Sequence, residues 1–241
     1  MNWWHALFLV LIGCGAGFVQ RASGFGLSIF AMLFLPHFLP THTAAASIAT
    51  LFSAGTTTYN ALRYRKNIAF KTALPMMAAA VVTIPVAVYF SSMVSGDVFK
   101  ILLGSALILL SLYFLILGNK IKMRPTIVNG IISGSISGVL QGLFSTGGPP
   151  AVLYLTNATN ENIVYFATIQ FYFCLINIYA TLTRVIYGDI TWQVLLYSAI
   201  GLVGCFVGDQ IGKRVFNKLN PKTLKIIIYI GMIISGILMF F

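Results

Sequence analysis

Acid is scarce in this chain: four of its 241 residues are Asp or Glu, against fifteen Lys and Arg, and charged residues of both signs make up only 8%. So low a charged fraction excludes an ordinary water-facing surface. The three cysteines, Cys14, Cys174 and Cys205, lie far apart within apolar segments and match no metal or redox spacing, which leaves them packing roles. His5, His37 and His42 form no metal set, since none has a second ligand at helical spacing. No phosphate-binding loop, zinc-protease helix or serine-nucleophile motif occurs. No cofactor is expected, and any work the protein does draws on an energy source other than bound ATP.

What is present is apolar surface. Hydrophobic residues make up 59% of the chain and the mean hydropathy is +0.92. Unbroken runs at 73–94, 101–117 and 226–241 match or approach the length a helix needs to cross a bilayer. The expected fold class is therefore all-α integral membrane protein, multi-pass, in the cytoplasmic membrane, with lipid as its solvent. The net charge of +11 would suggest nucleic acid in a soluble protein, but here Lys and Arg sit between apolar runs, as cytoplasmic loop residues do. No nucleic-acid partner is expected. The opening Met1-Asn2-Trp3-Trp4-His5 lacks the basic start of a secretory signal, and Trp3 and Trp4 read as interfacial anchors of a retained first segment.

Sliding the chain against itself by 121 residues, the distance from Gly13 to Gly134, reveals a repeat. Gly13, Gly17, Gln20 and Gly26 fall on Gly134, Gly138, Gln141 and Gly147, and Arg63 falls on Arg184. Residues 1–118 thus form a first transmembrane repeat, 119–124 a basic cytoplasmic linker, and 125–241 a second repeat. Each repeat reads as a long segment (3–20; 127–144), a Gly-rich break, a short apolar piece (25–35; 149–157) and three further long segments.

Positive charge gives the orientation. One loop holds Arg63, Arg65 and Lys66 in the first half but only Arg184 in the second; the next holds Lys100 with Asp97, against Lys213, Arg214, Lys218 and Lys222. Corresponding loops then face opposite sides, so the repeats are expected to be inverted, with a broken or re-entrant helix pair in each and both termini outside. Inverted repeats with matched breaks are the architecture of many secondary transporters.

The breaks read Gln20-Arg21-Ala22-Ser23-Gly24-Phe25-Gly26 and Gln141-Gly142-Leu143-Phe144-Ser145-Thr146-Gly147-Gly148-Pro149-Pro150. Glycine permits a turn and a close ligand approach, and proline at a first helical position has no N–H to lose. A helix starting there offers free N–H groups and partial positive charge to an anion. Arg21 either pairs with that anion or snorkels to an interface. Asp209 either takes up protons during transport or pairs with Lys213. Asn60, Gln170, Asn177 and Thr181 either line a cavity or act as interhelical hydrogen-bond glue. Stripes at Gly130, Gly134, Gly138 and Gly142, and at Gly204, Gly208 and Gly212, mark tight helix contacts, internal or between two copies of the chain.

The segments Gly17-Phe18-Val19-Gln20 through Gly26, Gly138-Val139-Leu140-Gln141 through Pro150, and the basic Arg63-Tyr64-Arg65-Lys66 loop resemble those of the TauE/SafE sulfite exporter family, over essentially the whole chain. The resemblance implies transport of sulfite, sulfonates or other small organic anions, coupled to an ion gradient of protons or sodium. Arg21 departs from the small or neutral residue many members carry there. The substrate site is expected to comprise Gln20, Arg21, Ser23, Gly24, Phe25 and Gly26 with Gln141, Ser145, Thr146, Gly147 and Gly148, and Asn60, Gln170, Asn177 and Asp209 are candidates for coupling or cavity lining. The rival readings are an anion channel, a membrane-embedded enzyme and an assembly subunit.

Overall fold

The computed structural model describes residues 3–116, 123–215 and 221–240. Lys120, Lys122 and Lys218 lie outside this set, as do the side chains of Ser23, Lys222 and Lys225. Ten α-helices carry the described chain: α1 (Trp3–Ser23), α2 (Leu27–Phe38), α3 (His42–Arg63), α4 (Phe70–Met93), α5 (Gly96–Ile116), α6 (Ile127–Phe144), α7 (Gly148–Ala158), α8 (Asn162–Ile186), α9 (Trp192–Val215) and α10 (Pro221–Leu238). Six of them, α1, α4, α5, α6, α8 and α9, are long and apolar enough to cross a membrane. Their outward faces carry large exposed apolar side chains such as Leu74, Val82, Ile186 and Trp192, the inside-out pattern lipid permits.

The two short pieces are helices of their own. At 12 and 11 residues, α2 and α7 are about 18 Å and about 17 Å long, roughly half a bilayer core. Each begins where the preceding helix is stopped by left-handed backbone: Gly24 (φ 78°) and Gly26 (φ 94°) after α1, and Ser145 (φ 59°) after α6. At Ser145 the stop is a C-terminal cap, with the Ser145 and Thr146 N–H groups donating to the Gln141 and Leu140 carbonyls.

Exchanging α1–α5 with α6–α10 maps the main packing pairs onto one another. The α1–α9 contact becomes α6–α4, the α1–α2 contact becomes α6–α7, and the α3–α8 and α5–α10 contacts map onto themselves. The two halves therefore interlock rather than sit side by side. Their closest seams are made by glycine. A Cβ on Gly13, Gly17, Gly204 or Gly208 would strike the backbone of the facing helix in the α1–α9 seam, and one on Gly134, Gly138 or Gly142 would strike α4. Both glycine stripes are thus occupied within one chain, and neither remains free to join two copies.

At the centre stand α3 and α8. Although α3 has 22 residues, it is less apolar than the six spanning helices because Ser47, Thr50, Ser53, Thr57 and Asn60 line its buried side. In lipid such a face must turn inward.

Candidate functional site

Gln20 sits in the next-to-last turn of α1. Its Oε1 accepts from the Leu27 N–H at the start of α2 (3.3 Å), and its Nε2 donates to Oε1 of Gln170 on α8 (3.2 Å). Gln170 in turn donates to the Gly24 carbonyl (2.8 Å), which ties the first break to α8. Gln141 repeats the arrangement. Its Oε1 accepts from the Gly147 N–H ahead of α7 (3.3 Å), and its Nε2 donates to Oδ1 of Asn177 on α8 (2.8 Å). Residues 170 and 177 are two turns apart on one face of α8, so a single helix answers both glutamines.

The second break has further support. Tyr172 donates to Ser137 Oγ (2.9 Å), and Ser137 donates to the Gly147 carbonyl (2.5 Å). Ser145 donates to the Ala46 carbonyl on α3 (2.7 Å) and lies 2.6 Å from Thr50 Oγ1. Asn177 donates to Ser53 Oγ (2.9 Å) and to the Phe173 carbonyl (2.7 Å).

Both helix starts face one cavity. Gln20, Gly26, Leu27, Ser28 and Ile29 line it from the first break, and Gln141, Ser145, Thr146, Gly147 and Gly148 from the second, with Ser53, Phe173 and Asn177 closing the sides. About 20 Å³ is open to the centre of a water molecule, room for little more than one or two waters. The space between the two breaks is therefore small in this conformation. None of the described lining residues is charged. Thr146 is only 2% exposed, and its side chain stands in the cavity lining.

Other expected site residues lie elsewhere. Phe25 packs against Gly148 at the cavity edge, and Gly24 accepts from Gln170 behind it. Arg21 does not line the cavity: its guanidinium pairs with Asp209 on α9 (3.8 Å) and lies 5.9 Å from the Phe166 ring centroid. Asp209 thus takes Arg21 as its ion-pair partner rather than Lys213, because the α1–α9 seam brings the two together. Asn60 is buried on α3 outside the cavity lining, and Thr181 donates to the Asn177 carbonyl of its own helix.

One residue needs a larger correction. Arg184, taken from sequence as a loop charge, stands in the last turn of α8 with no exposed surface. It donates to the Gly142 carbonyl (2.7 Å) and pairs with Asp189 (3.4 Å). Burial pushes the Asp189 carboxyl above the ordinary carboxylate range, against the opposing pull of Arg184. Its repeat equivalent Arg63 is exposed and donates to the Tyr59 hydroxyl (2.9 Å). Ser28 on α2 and Ser53 and Thr50 on α3 do not stand out in the sequence reading. For the two on α3 the signal is the run of Ser and Thr at three- and four-residue spacing, which hydropathy alone reads as a weak segment.

Residues 9–239 match the family described as sulfite exporter TauE/SafE. The probable membrane transporter protein YunE of Bacillus subtilis (strain 168) is 24% identical over 254 aligned residues, covering 94% of this chain and 90% of that protein. No solved structure matches the chain. With a family match over nearly its whole length and six helices fit to span a bilayer, the chain belongs to the sulfite exporter TauE/SafE family and is a multi-pass membrane transporter, not an enzyme.

Proposed function

We propose that the protein is a secondary transporter that moves a small sulfur-containing or organic anion by alternating access around the cavity between the two breaks. The observation that carries this reading is the convergence of two equivalent helix starts, α2 and α7, on one small cavity. The halves act as inverted repeats in this mechanism. In support, α1 ends among Phe166 and Asp209, whereas α6 ends among Phe99, Arg184 and Ser91, at the opposite end of α8. The Arg63, Arg65 and Lys66 end faces the cytoplasm. A proton or sodium gradient supplies the energy.

Thr146→Val is the sharpest test, because it removes a hydroxyl from the cavity lining while keeping the side chain's shape. Stability should stay within about 0.5 kcal/mol of the parent. A hydrogen bond to a charged group contributes about 1.5–3 kcal/mol, so anion binding should weaken about ten- to a hundredfold. Thermal stabilisation by sulfite or methanesulfonate and flux into proteoliposomes measure the two consequences. An unchanged flux in a normally folded variant would remove the cavity from the transport path. Gly148→Leu is a companion probe, since the nearest atoms to a Cβ there belong to the side chains of Phe25 (3.3 Å) and Phe173 (3.7 Å), not to backbone. Gly147 and Gly24 are poorer probes: a Cβ on Gly147 strikes the Ser137 carbonyl at 2.5 Å, and Gly24 holds a left-handed φ of 78°.

A further inference from the structure

We propose that the cavity selects by charge number, accepting monoanions and rejecting dianions; this rests on reading the cavity as the transport site. The argument is a charge inventory. No described lining side chain is ionised. The nearby cations are already paired, Arg21 with Asp209 and Arg184 with Asp189 and the Gly142 carbonyl. The positive potential at the site therefore comes from the two helix starts, each equivalent to about half an elementary charge.

The two starts are not equal in donors. In α2 the first closed helical bond runs from Phe30 N–H to the Gly26 carbonyl, which leaves the Ser28 and Ile29 N–H groups without helical partners. In α7, Pro149 and Pro150 have no N–H and that of Gly147 is already given to Gln141, so Gly148 alone brings a first-turn N–H ahead of the prolines. The Leu27 N–H at the start of α2 is likewise already given, to the Gln20 oxygen. The Thr146 hydroxyl in the lining adds one further donor but no charge. The total is about one positive unit at most.

A monoanion balances that potential. A dianion would bring a second negative charge into a small site whose described lining offers no counter-charge, which interiors tolerate poorly. A weak diacid such as sulfite then enters as hydrogensulfite, so its proton travels on the substrate. Proton-linked transport needs no titrating carboxylate in the cavity.

The test uses the purified full chain and compares anions that share a tetrahedral or pyramidal sulfur head but differ in charge. Methanesulfonate should stabilise it with the same apparent Kd from about pH 5.5 to about pH 8.5, whereas the apparent Kd for sulfite should rise about tenfold per pH unit once the dianion dominates. Sulfate should bind at least about a hundredfold more weakly than methanesulfonate. Sulfate binding within tenfold of methanesulfonate, or a sulfite affinity that is flat or rises with pH, would overturn charge selection while leaving the central site standing. Silence toward all three anions would overturn both readings. Ser53→Lys places a cation in the lining and should admit sulfate and flatten the sulfite pH profile; if that variant fails to fold, the parent protein's pH series still decides.

Discussion

Gly208→Leu is expected to yield no folded protein. A Cβ at Gly208 lands on the Cys14 carbonyl, and the neighbouring positions repeat the conflict: Gly204 against Val10, Gly17 against Cys205, Gly13 against Gly201. In each case the obstacle is backbone, so no side chain can rotate away. Overpacking a core that can adjust costs about 1–3 kcal/mol, and here the only adjustment is to separate two helices along their length. That movement would carry Gln20 away from Gln170 and break the Arg21–Asp209 pair, so the loss spreads from the seam to the site. Against a total stability of about 5–15 kcal/mol, such a loss unfolds the chain. Gly96→Ala is the matched control. Nothing lies within 4 Å of a Cβ there, and the position opens α5, so the change should be neutral or stabilise by about 0.4–1 kcal/mol. Gel filtration and melting in detergent distinguish the two; a monodisperse Gly208→Leu protein with a near-parent melting temperature would show that the seam is looser than its geometry.

The seam also shows what the sequence made legible. The glycine stripes announced close helix contacts, and the register of Gln20 with Gln141 announced two equivalent breaks, because spacing along the chain survives folding. The partners did not follow. A repeat alignment says that α1 corresponds to α6, but nothing in it says that α1 packs on α9 and α4 on α6. The pairing of Arg21 with Asp209 was hidden for that reason, since each residue had a plausible local role and the true partner lies in the other half. The polar side of α3 was hidden differently. Its Ser and Thr residues lower hydropathy enough to make the helix look marginal, whereas their burial makes it central to the site. Arg184 was misread because a single Arg at the end of an apolar run followed by Gly and Asp has the composition of a loop.

Arg184→Met should cost about 3–5 kcal/mol, the usual penalty for removing one member of a buried ion pair. The side chain is completely enclosed, and its loss leaves the Asp189 carboxylate without its counter-charge and the Gly142 carbonyl without its donor. Asp189→Asn alone should also destabilise, since it leaves the guanidinium charge uncompensated. The double variant should be more stable than the sum of the two single losses predicts, with a coupling of about 0.5–3 kcal/mol. Strictly additive losses would mean that the pair is not formed in the membrane. Recovery should nevertheless be incomplete, because the two substitutions together still leave the Gly142 carbonyl unanswered. Gly142 follows Gln141 directly, and Gln141 holds both the start of α7 and Asn177. Transport in the double variant should therefore remain below the parent even where its stability is largely restored, which separates the charge that holds α8 in place from the hydrogen bond that holds the second break in register.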